Sequence, residues 1–158
     1  MINNYNSFLQ TDDLPQKIFN GLFIGSIDAS ENFKALKENE ITHILQLFYS
    51  NKPPYPNDFK YLILDMQDSS QEDLSKFLPK CFEFYDSAQN SQGNLLVHCV
   101  AGVSRSGAVS TAIVMRELGL GFDQAFDLVK SKRPVIHPNV GFSQQLNHWG
   151  FKEAMKNQ

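Results

Sequence analysis

The residues best suited to chemistry lie in one short run between His98 and Gly107. Cys99 follows an apolar stretch, and Arg105 comes six residues later, with a glycine and several small residues between them. A loop that leads into a helix in this way points backbone N–H groups at an anion and adds the positive end of the helix dipole. The guanidinium of the arginine matches two phosphate oxygens. We therefore expect residues 100–105, called the phosphate loop below, to hold a phosphate group over the cysteine sulfur.

The same positive field acts on the Cys99 thiol before any ligand binds. A helix N-terminus and a nearby cation both favour deprotonation of a thiol, so we expect Cys99 to be largely thiolate at neutral pH. The alternative is a buried structural cysteine, the usual role of a lone cysteine in a reducing compartment. The position at a strand end, the spacing to Arg105 and the intervening Gly102 favour a nucleophile instead.

Four blocks of the chain resemble, in order, the cysteine-dependent protein phosphatases. Residues 98–106 are similar to the His-Cys-x-x-Gly-x-Ser-Arg-Ser signature of the dual-specificity subgroup. Residues 18–26 resemble its opening strand pair, residues 41–45 its next core strand, and residues 133–146 its closing segment. The resemblance extends from about Ile18 to Phe151. It implies a protein tyrosine phosphatase-like fold and hydrolysis of phosphotyrosine and phosphoserine/threonine in proteins through a cysteinyl-phosphate intermediate.

This chemistry needs a carboxylic acid that protonates the leaving oxygen and later deprotonates the attacking water. Residues 61–70 read as a strand that runs into a polar loop. Alignment with the family pattern puts Asp68 in the general-acid position, 31 residues before Cys99. Asp65 is the competing candidate, whereas Glu72 and Asp73 are typical of the first turn of a following helix.

The resemblance also implies supporting roles near the nucleophile. Ser106 is expected to donate a hydrogen bond to the Cys99 sulfur and to help the thiolate leave the phosphoenzyme. His98 could be a general base, but a thiolate already stabilised by the loop needs none, so we expect a structural histidine that orders the loop backbone. Asn139 resembles a family residue that braces the phosphate loop by hydrogen bonds, and the alternative is a plain turn residue after Pro138. Substrate phosphate is expected to bind the loop residues Val100, Ala101, Gly102, Val103, Ser104 and Arg105.

The elements that must position these residues follow from the hydrophobic pattern. Strands are predicted near residues 17–19, 22–25, 41–47, 60–65 and 94–98. A short helix is predicted to begin with a capping box formed by Asp28 and Glu31. An amphipathic helix is predicted over residues 74–88, where Pro79 marks a kink or a later start. Further helices are predicted near residues 105–119, 122–129 and 142–149. This order indicates an α/β fold with a central mixed, mostly parallel sheet flanked by helices. The loop then lies at the carboxyl end of a central strand, where such sheets bind ligands.

Length and composition set the remaining limits. The 158 residues suit one catalytic domain, residues 16–158, preceded by a loosely held polar arm, residues 1–15. A net charge of -3 argues against nonspecific nucleic-acid binding and a polybasic membrane anchor. Two cysteines and the lack of a targeting segment favour an intracellular protein, cytoplasmic or nuclear. No metal or cofactor is expected, phosphorylated proteins are the expected partners, and the sequence does not specify the oligomeric state.

Two further questions concern Cys81 and the substrate. Cys81 falls on the apolar stripe of its helix, which favours a core role over a redox partner for Cys99.

The alternative functions are a phosphoprotein-binding module without turnover, sulfur transfer or arsenate reduction, and hydrolysis of a phosphoinositide or phosphoglucan. The intact Cys99 and Arg105 disfavour the first of these. The uncharged Val100, Ala101 and Val103 disfavour a phosphoinositide, whose extra phosphates call for lysines.

Overall fold

A five-stranded sheet forms the centre of the computed structural model, which describes residues 11–156. The strands are β1 (Gln16–Phe19), β2 (Leu22–Gly25), β3 (Ile41–Gln46), β4 (Lys60–Ile63) and β5 (Asn94–His98). Their order across the sheet is β1-β2-β5-β3-β4, with β1 antiparallel to β2 and the other pairs parallel. The predicted mixed, mostly parallel sheet is confirmed.

Strand β5 lies in the middle of the sheet because its residues can be buried on both faces. Leu95, Leu96 and Val97 are fully buried, as expected for a parallel strand covered by helices on both sides. In the register, His98 at the end of β5 pairs with Gly25 of β2 on one side and with Gln46 of β3 on the other. Three parallel strands therefore end at the same level, directly before Cys99.

Helices cover both faces of this sheet. They are α1 (Ile27–Glu31), α2 (Phe33–Glu38), α3 (Leu78–Asn90), α4 (Arg105–Leu118), α5 (Phe122–Lys132) and α6 (Val140–Lys156). Helix α4 is the most deeply embedded, since every residue from Ser106 to Met115 is buried. It begins immediately after the phosphate loop, so the loop is anchored on a rigid element. None of the helices within residues 11–156 is long and apolar enough to cross a membrane.

The predicted capping box at Asp28 and Glu31 is wrong. Ser26 caps α1 instead, because its Oγ accepts a hydrogen bond from the Ala29 N–H at 3.4 Å. Asn32 then ends α1 and caps α2, with its Oδ1 accepting from the Ala35 N–H at 3.1 Å. The side chain of asparagine competes for backbone N–H groups in this way, and it divides the predicted helix into two short ones.

Pro79 marks a later helix start rather than a kink. A single 3-10 turn spans Leu74–Lys76, and α3 begins at Leu78 with Pro79 in its first turn, where a missing backbone N–H costs nothing. Cys81 lies on the buried stripe of α3, and burial raises the pKa of its thiol to about 12. Cys81 therefore stays a neutral, unreactive thiol in the core.

The predicted N-terminal arm lies partly outside the described residues, because residues 1–10 are not among them. Its remaining part runs along α1. The Ser26 hydroxyl donates to the Asp12 carbonyl oxygen at 2.7 Å, and the Asn32 side-chain amide donates to the Asp13 carbonyl oxygen at 2.9 Å. Residues 12 and 13 are thus fixed to the domain by buried or half-buried polar side chains.

Candidate active site

Cys99 follows β5 directly, at the carboxyl end of the parallel strands. Its side chain is 2% exposed, and its Sγ lies 3.3 Å from the Ser106 Oγ in the first turn of α4. The serine is itself fully buried. The structure therefore brings together the predicted sulfur and hydroxyl at hydrogen-bonding distance.

The carbonyl groups of residues 100–104 all accept hydrogen bonds from the surrounding protein. Backbone N–H groups donate to three of these carbonyl oxygens, each at 2.9 Å: Ile27 to Val100, His137 to Val103 and Ala108 to Ser104. The Arg133 guanidinium donates to the other two, at 3.1 Å to Ala101 and at 2.7 Å to Gly102. In a trans peptide group the C=O and the following N–H point in opposite directions. The outward pull on the carbonyls therefore turns the N–H groups of the loop toward its interior, where they can meet an anion.

Gly102 is required for this curvature. Its φ is +69°, in the left-handed region that side chains disfavour. A Cβ placed on it would lie 2.6 Å from the Arg133 Nη2 and 2.7 Å from the Gly25 carbonyl oxygen. The loop packs so closely against β2 that no larger residue fits without displacing it.

Arg105 is held between two strand ends. Its Nη1 donates to the carbonyl oxygens of Leu47, at 3.3 Å, and Met66, at 3.1 Å. Leu47 follows β3 directly, and Met66 follows β4 by three residues. These two bonds fix the guanidinium at these strand ends and leave its other N–H groups available for phosphate oxygens.

Asp68 and Asn139 meet across the site. The Asn139 Nδ2 donates to the Asp68 Oδ1 at 3.0 Å, and its backbone N–H donates to the Ser104 Oγ at 2.9 Å. Its Oδ1 accepts from the Phe142 N–H at 2.9 Å and so caps α6. Asn139 therefore contacts the loop through its backbone, whereas its side chain orients the carboxylate. Asp65, the competing acid, is bonded to the Gln67 side chain within its own segment.

Helix α6 holds the rest of the acid segment, residues 65–73. The Gln145 side chain accepts from the Leu74 N–H at 2.8 Å and donates to the Glu72 carbonyl oxygen at 2.8 Å. At Gly141, a Cβ would lie 2.2 Å from the Ser70 carbonyl oxygen, so the backbones are in close contact. In the sequence analysis Gln145 belongs only to the closing segment of the family pattern, and nothing there indicates this contact.

Comparison with known proteins identifies the class to which this site belongs. The profile of the dual specificity phosphatase catalytic domain matches residues 22–152. The chain belongs to this family.

Individual relatives agree with this assignment. The chain is 41% identical to dual specificity protein phosphatase 1B of Arabidopsis thaliana over 133 residues, which are 84% of this chain and 80% of that protein. The crystal structure of DUSP15 superposes with a TM-score of 0.84 at 35% identity, covering 91% of this chain and 92% of the other. The crystal structure of a human tyrosine phosphatase-like serine/threonine/tyrosine-interacting protein superposes with a TM-score of 0.83 at 33% identity, covering 92% of this chain and 99% of the other. The predicted fold and the predicted dual-specificity protein phosphatase activity are confirmed, and phosphoproteins are its class of substrate.

In this dual-specificity phosphatase, His98 is a buried neutral residue. Burial lowers the pKa of His98 to about 4, and its Nδ1 lies 3.2 Å from the Cys99 carbonyl oxygen. The imidazole is therefore uncharged at neutral pH, and its Nδ1–H donates to the loop backbone. The ring packs edge-on against Phe48, with the centroids 5.6 Å apart. This geometry agrees with a structural histidine.

Arg133 supports the phosphate loop of this phosphatase, a role that its sequence position did not indicate. It is 3% exposed, and it reaches the loop carbonyls of Ala101 and Gly102. Its place directly before a proline at the start of the closing segment was the available sequence signal, but nothing local to residue 133 indicates what it contacts. No group of three or more His, Cys, Asp or Glu side chains within residues 11–156 is arranged to hold a metal ion.

Proposed function

We propose that this phosphatase hydrolyses phosphotyrosine and phosphoserine/threonine in proteins through a covalent phosphate on Cys99. The observation that carries the proposal is the set of outward-bonded carbonyls at residues 100–104, which turns the loop N–H groups inward beside the sulfur. Together with the Arg105 guanidinium, these donors bind the non-bridging oxygens and stabilise the charge of the transition state.

In the first step the Cys99 thiolate attacks phosphorus, and the bond from phosphorus to the substrate oxygen breaks. Asp68, protonated at this stage, transfers its proton to that leaving oxygen. The hydrogen bond from Asn139, whose backbone N–H contacts Ser104 of the phosphate loop, holds the carboxyl group beside that loop. The products of the step are the dephosphorylated protein and a cysteinyl phosphate.

In the second step water attacks the cysteinyl phosphate. The Asp68 carboxylate accepts a proton from the water as the new oxygen–phosphorus bond forms and the sulfur–phosphorus bond breaks. The departing thiolate accepts a hydrogen bond from the Ser106 hydroxyl, whose oxygen lies 3.3 Å from the sulfur. Release of inorganic phosphate restores the starting enzyme.

The proposed substrates are phosphorylated proteins in the cytoplasm or nucleus rather than lipids or nucleic acids. The exposed loop residues nearest the nucleophile, Val100 and Ala101, carry no charge that would recognise additional phosphates. The overall charge of -3 gives no attraction to a polyanion.

Phosphate release from a panel of substrates tests the proposal. The panel contains a phosphotyrosine peptide, a phosphothreonine peptide, a phosphoinositide and a phosphoglucan. We expect release from both peptides, abolished by Cys99→Ser and slowed by about a hundred-fold or more by Asp68→Asn, since general acid–base catalysis contributes roughly a hundred- to ten-thousand-fold. Asp65→Asn, a matched change three residues away, should act like wild type.

The outcomes of this panel separate the alternatives. A large loss in Asp65→Asn with full activity in Asp68→Asn would move the acid role to Asp65. Preference for the lipid or the glucan would overturn the proposed substrates, and unchanged hydrolysis by Cys99→Ser would overturn the covalent mechanism.

A further inference from the structure

Arg133 satisfies all its donors although it is almost completely buried. Its side chain is 3% exposed, and every N–H of the guanidinium has a partner. In the phosphate loop, its Nε donates to the Gly102 carbonyl oxygen at 2.7 Å and its Nη2 to the Ala101 carbonyl oxygen at 3.1 Å. In the N-terminal segment, Nη1 and Nη2 donate to the Asp12 carboxylate at 2.8 and 2.7 Å, and Nη1 also donates to the Gln16 Oε1 at 2.7 Å. The guanidinium thus joins the phosphate loop to the N-terminal segment.

The two loop bonds of Arg133 control two of the inward-facing N–H groups. Because C=O and N–H are opposed across a trans peptide, holding the Ala101 and Gly102 carbonyls directs the N–H groups of Gly102 and Val103 into the loop. The carbonyls of Val100, Val103 and Ser104 are held by backbone N–H groups of neighbouring elements. The middle of the loop, by contrast, depends on one side chain, so its geometry is sensitive to how that side chain is held.

Asp12 holds that side chain in place. Its carboxylate pairs with Arg133 in the two-bond geometry that fixes a guanidinium plane, and it balances a charge that is otherwise buried. The hydrogen bonds from Arg133 hold the pKa of Asp12 below its usual range, so the carboxylate is charged at neutral pH. The backbone of Asp12 is fixed in turn by the Ser26 hydroxyl at 2.7 Å. Asp12 and Arg133 are 121 residues apart in the sequence.

We propose that Asp12 and Arg133 are positioning residues that set the oxyanion affinity of the phosphate loop, which makes the N-terminal segment a working part of the active site. The inference rests on the proposed phosphate-binding role of residues 100–105. Neither side chain touches the substrate, since both act through the carbonyls of Ala101 and Gly102.

The test compares Asp12→Asn with Asp13→Asn, a matched change at the next residue, whose carboxylate is bonded to Thr11 rather than to the loop support. The readout is the Ki of tungstate, a phosphate-like dianion, in competition with p-nitrophenyl phosphate, measured together with kcat and Tm. A Ki does not depend on the fraction of folded enzyme, so a purely structural role would leave it unchanged. We expect Asp12→Asn to raise Ki and lower kcat about ten-fold, because small displacements of binding groups have effects of that size or more. Asp13→Asn should match wild type.

Two further variants make the result decisive. Asp12→Glu keeps the carboxylate and should recover most of the tungstate affinity. Arg133→Lys keeps the charge but cannot bond two carbonyls and a carboxylate at once, so its Ki should rise at least as far as that of Asp12→Asn. If Arg133→Lys does not fold, the Asp12 variants decide alone. A wild-type Ki in Asp12→Asn, whatever its Tm, would overturn the proposal. Failure of tungstate to inhibit wild type would instead overturn the phosphate-binding role of the loop.

Discussion

At the scale of single residues, the contact between Cys99 and Ser106 carries the most chemistry. The two side chains are buried, and their polar atoms lie 3.3 Å apart. A hydroxyl donating to a thiolate is a charge-assisted hydrogen bond, and the same bond stabilises the sulfur as it leaves phosphorus. Ser106 should therefore matter more for breakdown of the phosphoenzyme than for its formation.

Replacing Ser106 with alanine tests this difference. The loss of a hydrogen bond to a charged group, about 1.5–3 kcal/mol, predicts slower phosphoenzyme hydrolysis by roughly ten- to a hundred-fold. Stopped-flow measurements with p-nitrophenyl phosphate should then show a burst of nitrophenol followed by a slow steady state. Ser110→Ala, a buried serine one turn later in α4, is the control and should show no new burst. A reduced first phase without a burst would contradict the assignment.

At the scale of elements, the phosphate loop and α4 provide the positive charge that phosphoryl transfer needs. Inward N–H groups, the helix N-terminus and the Arg105 guanidinium act at the same place. We therefore expect full activity in EDTA, measured as kcat/KM on a phosphotyrosine peptide before and after dialysis against the chelator. Loss of activity that added divalent metal restores would contradict this expectation.

Helix α6 is the element that positions the acid segment. Gln145 makes two hydrogen bonds of 2.8 Å to the backbone of residues 72 and 74, so Gln145→Ala should loosen the segment that carries Asp68. We expect a kcat several-fold lower on a phosphothreonine peptide, whose alkoxide leaving group needs a proton, and a smaller loss on p-nitrophenyl phosphate. Gln144→Ala, an exposed neighbour on α6, should leave both rates unchanged. Equal losses on both substrates would indicate a general structural defect instead.

The elements themselves were largely predictable, whereas the contacts between them were not. The strands follow from short apolar runs, and the loop at residues 100–105 follows from the spacing of cysteine, glycine and arginine, because these signals are local in the sequence. The bond between Asn139 and Asp68 joins residues 71 apart, and that between Arg133 and Asp12 joins residues 121 apart. No periodicity encodes such pairs. The division of the predicted helix at Asn32 was not predictable for a different reason. Ser26, Asp28 and Asn32 can all cap a helix, and they lie within a few residues of one another, so the sequence alone does not decide which of them does.

At the scale of the whole molecule, the buried histidines link stability to pH. His98 has a folded-state pKa of about 4 against an ordinary value of 6.5, and burial also lowers the pKa of His43. The unfolded chain therefore binds more protons than the folded protein between these values. Stability contributed by neutral His98 is fully present above pH 6.5 and is lost progressively as the pH falls to about 4. The full loss is roughly 3 kcal/mol.

Replacing His98 with asparagine tests this linkage. The asparagine amide keeps an N–H near the Cys99 carbonyl but does not titrate. Urea unfolding between pH 7 and pH 4 should show a shallower fall in the free energy of unfolding than wild type, with His43 accounting for part of the remaining slope. His148→Asn, at an exposed position on α6, should retain the wild-type slope. If the free energy of unfolding fell equally steeply with pH in His98→Asn and in wild type, the lowered pKa of His98 would be contradicted.

The strand order also determines when, during synthesis on the ribosome, the site can exist. Strands β2 and β3 emerge early, yet their common neighbour β5 spans residues 94–98 and comes after all the others. Until then the facing edges of β2 and β3 have no partner, and such apolar edges invite pairing with other chains. Long-range strand pairing of this kind also slows folding. Because Cys99 follows β5 directly, the nucleophile leaves the ribosome together with the strand that closes the sheet, and its thiol is buried only once α4, which carries Ser106, has packed against that sheet.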